Sequence, residues 1–166
     1  MMNLSFTKAQ IDDLPKIVEI YNSTIASRIV TADTEPVSVE SKMEWLKKHH
    51  SKRPLWIVKN EDNEIIGWVS FESFYGRPAY DHTAELSIYL DESFRGKGYG
   101  KHILQHCIRS AKKLSITTLL GFIFQHNEPS LKLFHSAGFS DWATLPNVAV
   151  LDGIERTLII TGLRVG

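Results

Sequence analysis

The sequence contains one cysteine, Cys107, and no excess of charge of either sign. A single cysteine excludes an internal disulfide and any cysteine-rich metal site. Nineteen Lys and Arg residues balance nineteen Asp and Glu residues, so the formal net charge is zero. Because nucleic-acid binders are usually basic, we expect no nucleic-acid partner. Cys107 falls on the apolar face of a predicted helix, where we expect an inert, buried thiol.

Long apolar runs are also missing. None approaches the roughly 20 residues of a membrane span, and the first residues lack the basic and apolar blocks of a signal peptide. We therefore expect a cytoplasmic protein without a membrane partner. Among the seven histidines, only His102 and His106 have a spacing that could hold a metal ion on one helix face, and we predict no metal. The 166 residues predict one domain, 1–166.

Apolar residues at helical or alternating spacing predict the order β-α-α-β-β-β-α-β-α-β-β. This order indicates a single α/β domain with a mixed sheet and helices on its faces. In chain order the predicted elements are a strand Leu4–Thr7, a helix capped by Asp12 or Asp13, a helix from Ser38 to about His49, strands Leu55–Lys59, Ile65–Glu72 and Thr83–Leu90, a helix Tyr99–Leu114, a strand Thr117–Phe124, a helix opened by Asn127 and ended by Gly138, and strands Trp142–Leu145, Val148–Leu151 and Thr157–Leu163.

The segment Ala26–Val37 has no clean period, and a loop of this length predicts a wall of a binding site. In the strand Thr83–Leu90, successive side chains should point to opposite faces. One face would carry Leu86, Ile88 and Leu90, and the other Glu85, Ser87 and Tyr89.

A glycine-rich loop, Arg95-Gly96-Lys97-Gly98-Tyr99-Gly100, lies between this strand and the following helix. The unpaired amides and the macrodipole of a helix N-terminus attract anions, and Arg95, Lys97 and Lys101 add positive charge. We therefore predict a phosphate-bearing ligand at this loop. The loop lacks both the first glycine and the hydroxyl of a Walker A motif, and it lacks the third glycine of a Rossmann fingerprint.

The pattern that fits is Gln/Arg-x-x-Gly-x-Gly/Ala, which resembles the pyrophosphate-binding loop of the GNAT superfamily of acetyl-CoA-dependent N-acyltransferases. Asn127-x-Pro-Ser130, about one strand later, resembles the second cofactor-contacting segment of that family. The stretch Tyr75–Tyr80 with Thr83-Ala84-Glu85 looks like the substrate loop and strand of phosphinothricin and methionine sulfoximine/sulfone N-acetyltransferases. The segment Thr31–Pro36 resembles the first-loop segment of the same group.

The resemblance implies a mostly antiparallel sheet with a V-shaped acetyl-CoA cleft, a small-molecule amine as substrate, and a homodimer. It implies substrate contacts from Tyr75, Gly76, Arg77 and Glu85. It implies cofactor contacts from Ile88, Tyr89, Leu90, Arg95, Gly96, Lys97, Gly98, Tyr99, Gly100, Lys101, Asn127 and Ser130.

Acetyl transfer needs a neutral amine, and an α-amino group has a pKa of about 8, so a base must remove a proton. The resemblance makes Glu85 that base, acting directly or through water, and the site should raise its pKa by partial burial. Arg77 would then bind an acidic group of the substrate rather than Glu85. Many family members carry a tyrosine as a candidate proton donor where this chain has Phe134, which cannot donate.

Two other functions stay open at this point. A peptide or protein N-acetyltransferase would need an open groove, which the Tyr75–Tyr80 loop should narrow. A non-catalytic acyl-CoA-binding sensor would explain Phe134, although Glu85 argues against lost chemistry.

Overall fold

A seven-stranded sheet with helices on both faces forms the protein, as seen in a computed structural model that describes residues 2–166. The strands are β1 Ser5–Lys8, β2 Leu55–Lys59, β3 Ile65–Ser73, β4 Thr83–Leu90, β5 Thr118–Phe124, β6 Ser140–Leu151 and β7 Ile154–Arg164. The α-helices in this part of the chain are α1 Leu14–Ser23, α2 Met43–Lys48, α3 Tyr99–Ser110 and α4 Glu128–Ser136. The mixed α/β class is therefore confirmed. The element order is confirmed when the two short segments Trp142–Leu145 and Val148–Leu151 are counted as one strand, β6.

The strand order is β1-β2-β3-β4-β5-β7-β6, and only β4 and β5 pair in parallel. Their register runs from Thr83 opposite Thr118 to Glu85 opposite Leu120 and then stops. Both strands continue beyond that point, β4 to Leu90 and β5 to Phe124. The sheet therefore opens into a wedge that begins at Glu85.

Two hydrophobic clusters cover the two faces of the sheet. The larger packs α3 and α4 against the face that carries Phe71 and Leu86, while the smaller packs α1 and α2 against the face that carries Ile57 and Trp68. Leu86 is buried in the larger cluster and Tyr89 packs against the smaller one. The predicted alternation along β4 is thus confirmed.

Three predicted boundaries were wrong. The two short strands Trp142–Leu145 and Val148–Leu151 form one strand, β6, whose register shifts between Leu145 and Ala149. Pro146 has no N–H to donate to the hydrogen bonds of the sheet, and Asn147 has a φ of 54°. The segment therefore bulges without ending the strand.

The helix expected from Ser38 to His49 is a 3₁₀ turn, Glu40–Lys42, followed by the short α2. The helix expected to reach Leu114 ends at Ser110 and continues as turns. Gly138, with a φ of 102°, follows α4 as predicted. No helix within residues 2–166 combines the length and the apolar character needed to cross a membrane.

Candidate active site

A pocket of about 320 Å³ lies between the β3–β4 surface and the first two helices. Its floor consists of three residue pairs, each of which faces across β3 and β4. These pairs are Trp68 with Tyr89, Ser70 with Ser87, and Glu72 with Glu85. The Trp68 and Tyr89 rings stack with centroids 4.5 Å apart. The floor therefore changes from aromatic to hydroxyl to acidic along the strands.

The walls of the pocket come from α1, from the loop that follows it, and from the start of α2. They comprise Ile17, Val18, Tyr21, Val37, Lys42 and Trp45. The Tyr21 hydroxyl donates to the Asp33 carboxylate and lies 2.5 Å from Thr31 Oγ1. Burial raises the pKa of Tyr21 to about 12, so the hydroxyl keeps its proton for this bond. Of the loop predicted to be a wall, Ala26–Val37, only Val37 lines the pocket.

Glu85 lies at the last β4–β5 pair, where the wedge begins. Burial, and secondarily the neighbouring Glu72, raise the pKa of Glu85 to about 7. Neither carboxylate forms an ion pair with a side chain of residues 2–166. The predicted rise in the pKa of Glu85 is therefore present, and Glu72 is a contributor that the sequence did not reveal.

His49 supports the middle of the pocket floor through the buried Ser70. Its Nδ1 lies 2.9 Å from the Trp45 carbonyl and its Nε2 lies 2.7 Å from Ser70 Oγ. Burial lowers the pKa of His49, which favours the neutral ring. Because a carbonyl only accepts, Nδ1–H donates to Trp45 and the Ser70 hydroxyl donates to Nε2.

The glycine loop has the backbone expected of an anion site. Gly96 and Gly98 have φ values of 73° and 85°, and Gly98 is the residue that immediately precedes α3. A Cβ on Gly96 would meet no atom within 4 Å, so the space above this residue is open. Glycine at these positions permits the left-handed backbone without steric cost.

Arg95 is held by the protein itself. Its Nε and Nη2 donate to the Leu90 carbonyl at 3.1 and 2.9 Å, and Nη2 also donates to Ser23 Oγ at 3.2 Å. The guanidinium therefore ties the loop to the end of β4 and to the end of α1. The exposed side chains of Lys97 and Lys101 remain as the cations of the loop.

The two sides of the wedge carry different groups. Beyond Glu85, the edge of β4 that includes Ile88, Tyr89 and Leu90 has no pairing with β5. Across the opening, Asn127 is buried and its Oδ1 accepts a hydrogen bond from the Ser130 amide at 3.3 Å, which caps α4.

Phe134, on α4, is a core residue. Its ring lies so close to Gly121 of β5 that a Cβ there would approach it to 2.6 Å, and it packs edge-on against Phe139 at 4.9 Å. The side chain is 6% exposed. It offers neither a titratable group nor a path for water at this position.

No residue of the predicted substrate loop, Tyr75–Tyr80, lines the first pocket. Tyr75 is 75% exposed, and with Gly76 it borders a second pocket of about 380 Å³ that also includes Glu72. Arg77 is exposed and lines neither of these two pockets. Within residues 2–166, no group of three or more His, Cys, Asp or Glu side chains is arranged to hold a metal ion.

Sequence reasoning missed four residues that line the pocket, Tyr21, Lys42, Ser70 and Glu72, and it missed His49, which contacts Ser70. For Ser70 and Glu72 a signal existed, because alternation along Ile65–Glu72 places them on one face with Trp68. The partner across the strands was not visible, since register depends on the geometry of the connecting loop.

Comparisons with known proteins agree on one family. A model of the acetyltransferase (GNAT) family matches residues 17–139. YwnH of Bacillus subtilis (strain 168), named "putative phosphinothricin acetyltransferase", is 54% identical over 150 residues, which cover 90% of this chain and 92% of that protein.

A second relative is the L-methionine sulfoximine/L-methionine sulfone acetyltransferase of Salmonella typhimurium. It is 26% identical over 141 residues, which cover 85% of this chain and 82% of that protein. The structure of YncA from Salmonella typhimurium with its cofactor acetyl-CoA has a TM-score of 0.88 and 25% identity, covering 99% of this chain and 95% of that one.

Proposed function

This chain belongs to the acetyltransferase (GNAT) family and is an acetyl-CoA-dependent N-acyltransferase, and from that premise we propose its substrate and its mechanism. The substrate is a small amino-acid-like amine of the methionine sulfone, methionine sulfoximine or phosphinothricin type. The amine attacks acetyl-CoA directly, and Glu85 is the general base.

The observation that carries this proposal is the position of Glu85. It is the acidic end of the pocket floor and also the residue at which the sheet opens. An amine bound in the pocket would therefore meet a thioester held in the wedge at this carboxylate. A pocket of about 320 Å³ matches the lower end of the size range of small-molecule sites, which favours a small amine over a peptide.

The pKa of about 7 for Glu85 suits a base that works at neutral pH. Moving a proton from an α-ammonium group of pKa about 8 to such a carboxylate costs about 1.4 kcal/mol. An unperturbed glutamate, with a pKa of about 4.3, would make the same transfer cost about 5 kcal/mol. This tuned carboxylate also argues against a non-catalytic sensor.

In the chemical step, Glu85 takes one proton from the ammonium group, directly or through one water molecule. The nitrogen lone pair then forms the C–N bond, and the carbonyl electron pair moves to oxygen. A β4 amide between Leu86 and Ile88 would stabilise that oxyanion. Collapse restores the C=O bond and breaks the C–S bond, while the nitrogen releases its second proton to solvent.

The departing sulfur leaves as a thiolate in this scheme. Phe134 is buried and has no proton to give. A thiol pKa of about 8.5 makes the thiolate a tolerable leaving group near neutral pH.

For acetyl-CoA, we propose that the pyrophosphate binds across the amides of Arg95–Lys101, with Gly96, Gly98, Tyr99 and Gly100 forming the cradle and Lys97 supplying charge. The open space at Gly96 supports this position. The pantetheine arm would bind along the unpaired edge of Ile88, Tyr89 and Leu90, as an added strand would. Asn127 and Ser130 would contact it from the other side.

Tyr75, Gly76 and Arg77 would recognise the acidic or sulfone side group of the substrate. The Arg77 guanidinium is exposed and has no ion pair within residues 2–166. A free guanidinium can bind a phosphinate or a carboxylate through two parallel hydrogen bonds.

We also propose that the single domain acts in the cytoplasm as a homodimer. Acetyl-CoA is an intracellular metabolite, which supports the location. Several large apolar side chains on β6 and β7 are exposed, which supports self-association.

The test of the proposed function is release of free thiol from acetyl-CoA with a panel of amines. The panel contains L-methionine sulfone, L-methionine sulfoximine, phosphinothricin and short peptides. We expect turnover with at least one of the three small amines and none with the peptides. Tight binding of acetyl-CoA without turnover of any amine would contradict catalysis, and turnover of peptides alone would contradict the substrate class.

A further inference from the structure

The acidic end of the pocket holds two carboxylates where the proposed mechanism uses one. Glu72 on β3 is the register partner of Glu85 on β4, and both side chains line the pocket. Directly opposite residues in an antiparallel pair have Cβ atoms about 4.5–5.5 Å apart. The two carboxylates therefore project into the same small volume from neighbouring strands.

Like charges in this arrangement are unfavourable, and the fold does not compensate them. Two residues of like charge that face each other on neighbouring strands destabilise a sheet. Partial burial strengthens the repulsion between them. Within residues 2–166, no lysine, arginine or histidine forms an ion pair with Glu72 or Glu85. The repulsion also affects Glu85, because Glu72, after burial, contributes to the raised pKa of Glu85.

Within residues 2–166, the other charged and titratable groups near the pair form no ion pair with it. Lys48 and Arg53 line the second pocket together with Glu72, and the Arg53 guanidinium donates instead to the backbone carbonyls of Lys52, Leu114 and Asp81. Tyr21 on α1 and Tyr89 on β4 both have raised pKa values, mainly through burial. Burial lowers the pKa of His49, which follows α2, and so favours its neutral form. Lys42, just before α2, has its Nζ 5.5 Å from the centroid of the Tyr21 ring.

We propose that Glu72 and Glu85 together bind the ammonium group of the substrate, which makes Glu72 a second amine-binding residue. The inference rests on the proposed function, because the cation that completes the pair is the amine to be acetylated. A cation shared by two carboxylates forms charge-assisted hydrogen bonds to both. The site would thus select the protonated amine, the form that predominates near neutral pH.

Glu72 and Glu85 have different roles in this scheme. When Glu85 takes the proton, the neutral amine remains hydrogen-bonded to Glu72. Binding therefore draws on both carboxylates, while proton transfer draws on Glu85 alone. Glu72 should contribute to substrate affinity and to the pH dependence of the reaction more than to its maximal rate.

The experiment compares the variants Glu72→Gln and Glu72→Asp with the unmodified protein in the thiol-release assay, using L-methionine sulfone across pH 5.5–9. For Glu72→Gln we expect the KM for the amine to rise about tenfold or more, with the KM for acetyl-CoA nearly unchanged. The acid limb of kcat/KM should also move to lower pH, since the charge that raises the pKa of Glu85 is gone. Glu72→Asp keeps the charge and should recover part of the affinity.

A matched control is Glu155→Gln on β7, which removes an exposed strand carboxylate far along the sheet. It should change neither KM nor the pH profile. Misfolding is tested separately by thermal unfolding, in which Glu72→Gln should be at least as stable as the unmodified protein at pH 8, because it relieves repulsion.

The two hypotheses fail in different ways. Turnover with an unchanged amine KM and an unchanged pH profile in Glu72→Gln would overturn the carboxylate pair and leave the acetyltransferase proposal intact. If the unmodified protein turns over none of the three small amines, the proposed substrate class fails. The pair is then tested by ¹³C NMR of the glutamate carboxyl groups during titration with methylammonium chloride. Perturbation of the Glu72 and Glu85 signals, together with loss of the Glu85 response in Glu72→Gln, would support the carboxylate pair. No perturbation of either signal would overturn it.

Discussion

Glu85 occupies two local environments at once. Its backbone closes the parallel pairing of β4 with β5, and its side chain enters a pocket floored by aromatic, hydroxyl and acidic pairs. Burial is the main cause of its raised pKa, and Glu72 adds to it. A residue of this kind is tuned by its position in the fold rather than by its neighbours in sequence.

The direction of the pH effect on activity follows from this shift. Below a pH of about 7, Glu85 is increasingly protonated and cannot accept a proton, so kcat/KM should fall tenfold per pH unit. Glu85→Gln should lower kcat by about 10²-fold or more and abolish that limb. The KM for acetyl-CoA should stay nearly constant. Equal losses of turnover and acetyl-CoA affinity would remove Glu85 from the role of base.

The raised pKa of Glu85 also affects the stability of the fold, because the charged form of this residue is disfavoured in the folded protein. Between pH 4.5 and about 7 the folded protein holds the Glu85 proton more tightly than the unfolded chain, so stability decreases as the pH rises through this window. Glu85→Gln should therefore be more stable than the unmodified protein at pH 8, by up to about 3 kcal/mol, and equally stable near pH 4. Denaturant titrations at the two pH values would measure the difference, and a loss of stability at pH 8 would contradict it.

At the scale of elements, the loop between β4 and α3, at which we propose that the pyrophosphate binds, is held in place by one of its own side chains. Arg95 holds the loop to the Leu90 carbonyl and to Ser23 at the end of α1. The planar guanidinium makes these bonds in fixed directions, which an ammonium group cannot reproduce. Gly100 also packs closely, since a Cβ there would approach Leu133 of α4 to 3.3 Å. The shape of the loop is thus set before any ligand binds.

Arg95→Ala and Arg95→Lys together separate geometry from charge. If the hydrogen bonds of the Arg95 guanidinium hold the loop in shape, both variants should raise the KM for acetyl-CoA about tenfold. The KM for the amine should change little. Arg109→Ala, which removes an exposed cation in the last turn of α3, is the control. Full recovery of acetyl-CoA affinity by lysine would show that Arg95 acts through its charge alone.

At the scale of the whole molecule, the end of the sheet remote from β1 is an exposed apolar edge. The hairpin of β6 and β7 presents Trp142, Val148, Val150 and Ile154 with large exposed fractions. An unpaired edge strand with such side chains favours association with another chain. This edge is the physical basis on which we expect the homodimer.

Light scattering after size exclusion should give a mass of twice 18.9 kDa, about 38 kDa. Val150→Asp places a charge on that edge and should shift the mass toward the monomer. Ile11→Asp is the matched control, because Ile11 is 56% exposed and Val150 62%, yet Ile11 precedes α1. A monomeric unmodified protein, or a dimer in both variants, would contradict an interface at this edge.

The sequence by itself determined the order of the elements, the two faces of β4 and the glycine spacing from which we predict an anion site. These properties depend on residues only a few positions apart, so periodicity and glycine spacing are enough to reveal them. The merging of two predicted strands into β6 shows the limit, because a local Pro-Asn interruption reads as a turn when the pairing partner is unknown.

Only the tertiary structure decided that β4 and β5 separate at Glu85 and that Glu72 faces Glu85. It also decided that the Arg95 guanidinium hydrogen-bonds to the Leu90 carbonyl. Each of these depends on strand register or on the approach of distant segments. A shift of one residue in register would move Glu72 away from its partner without any change in the sequence. The identity of the family follows from short-range patterns, whereas the electrostatics of its site follow from long-range pairing.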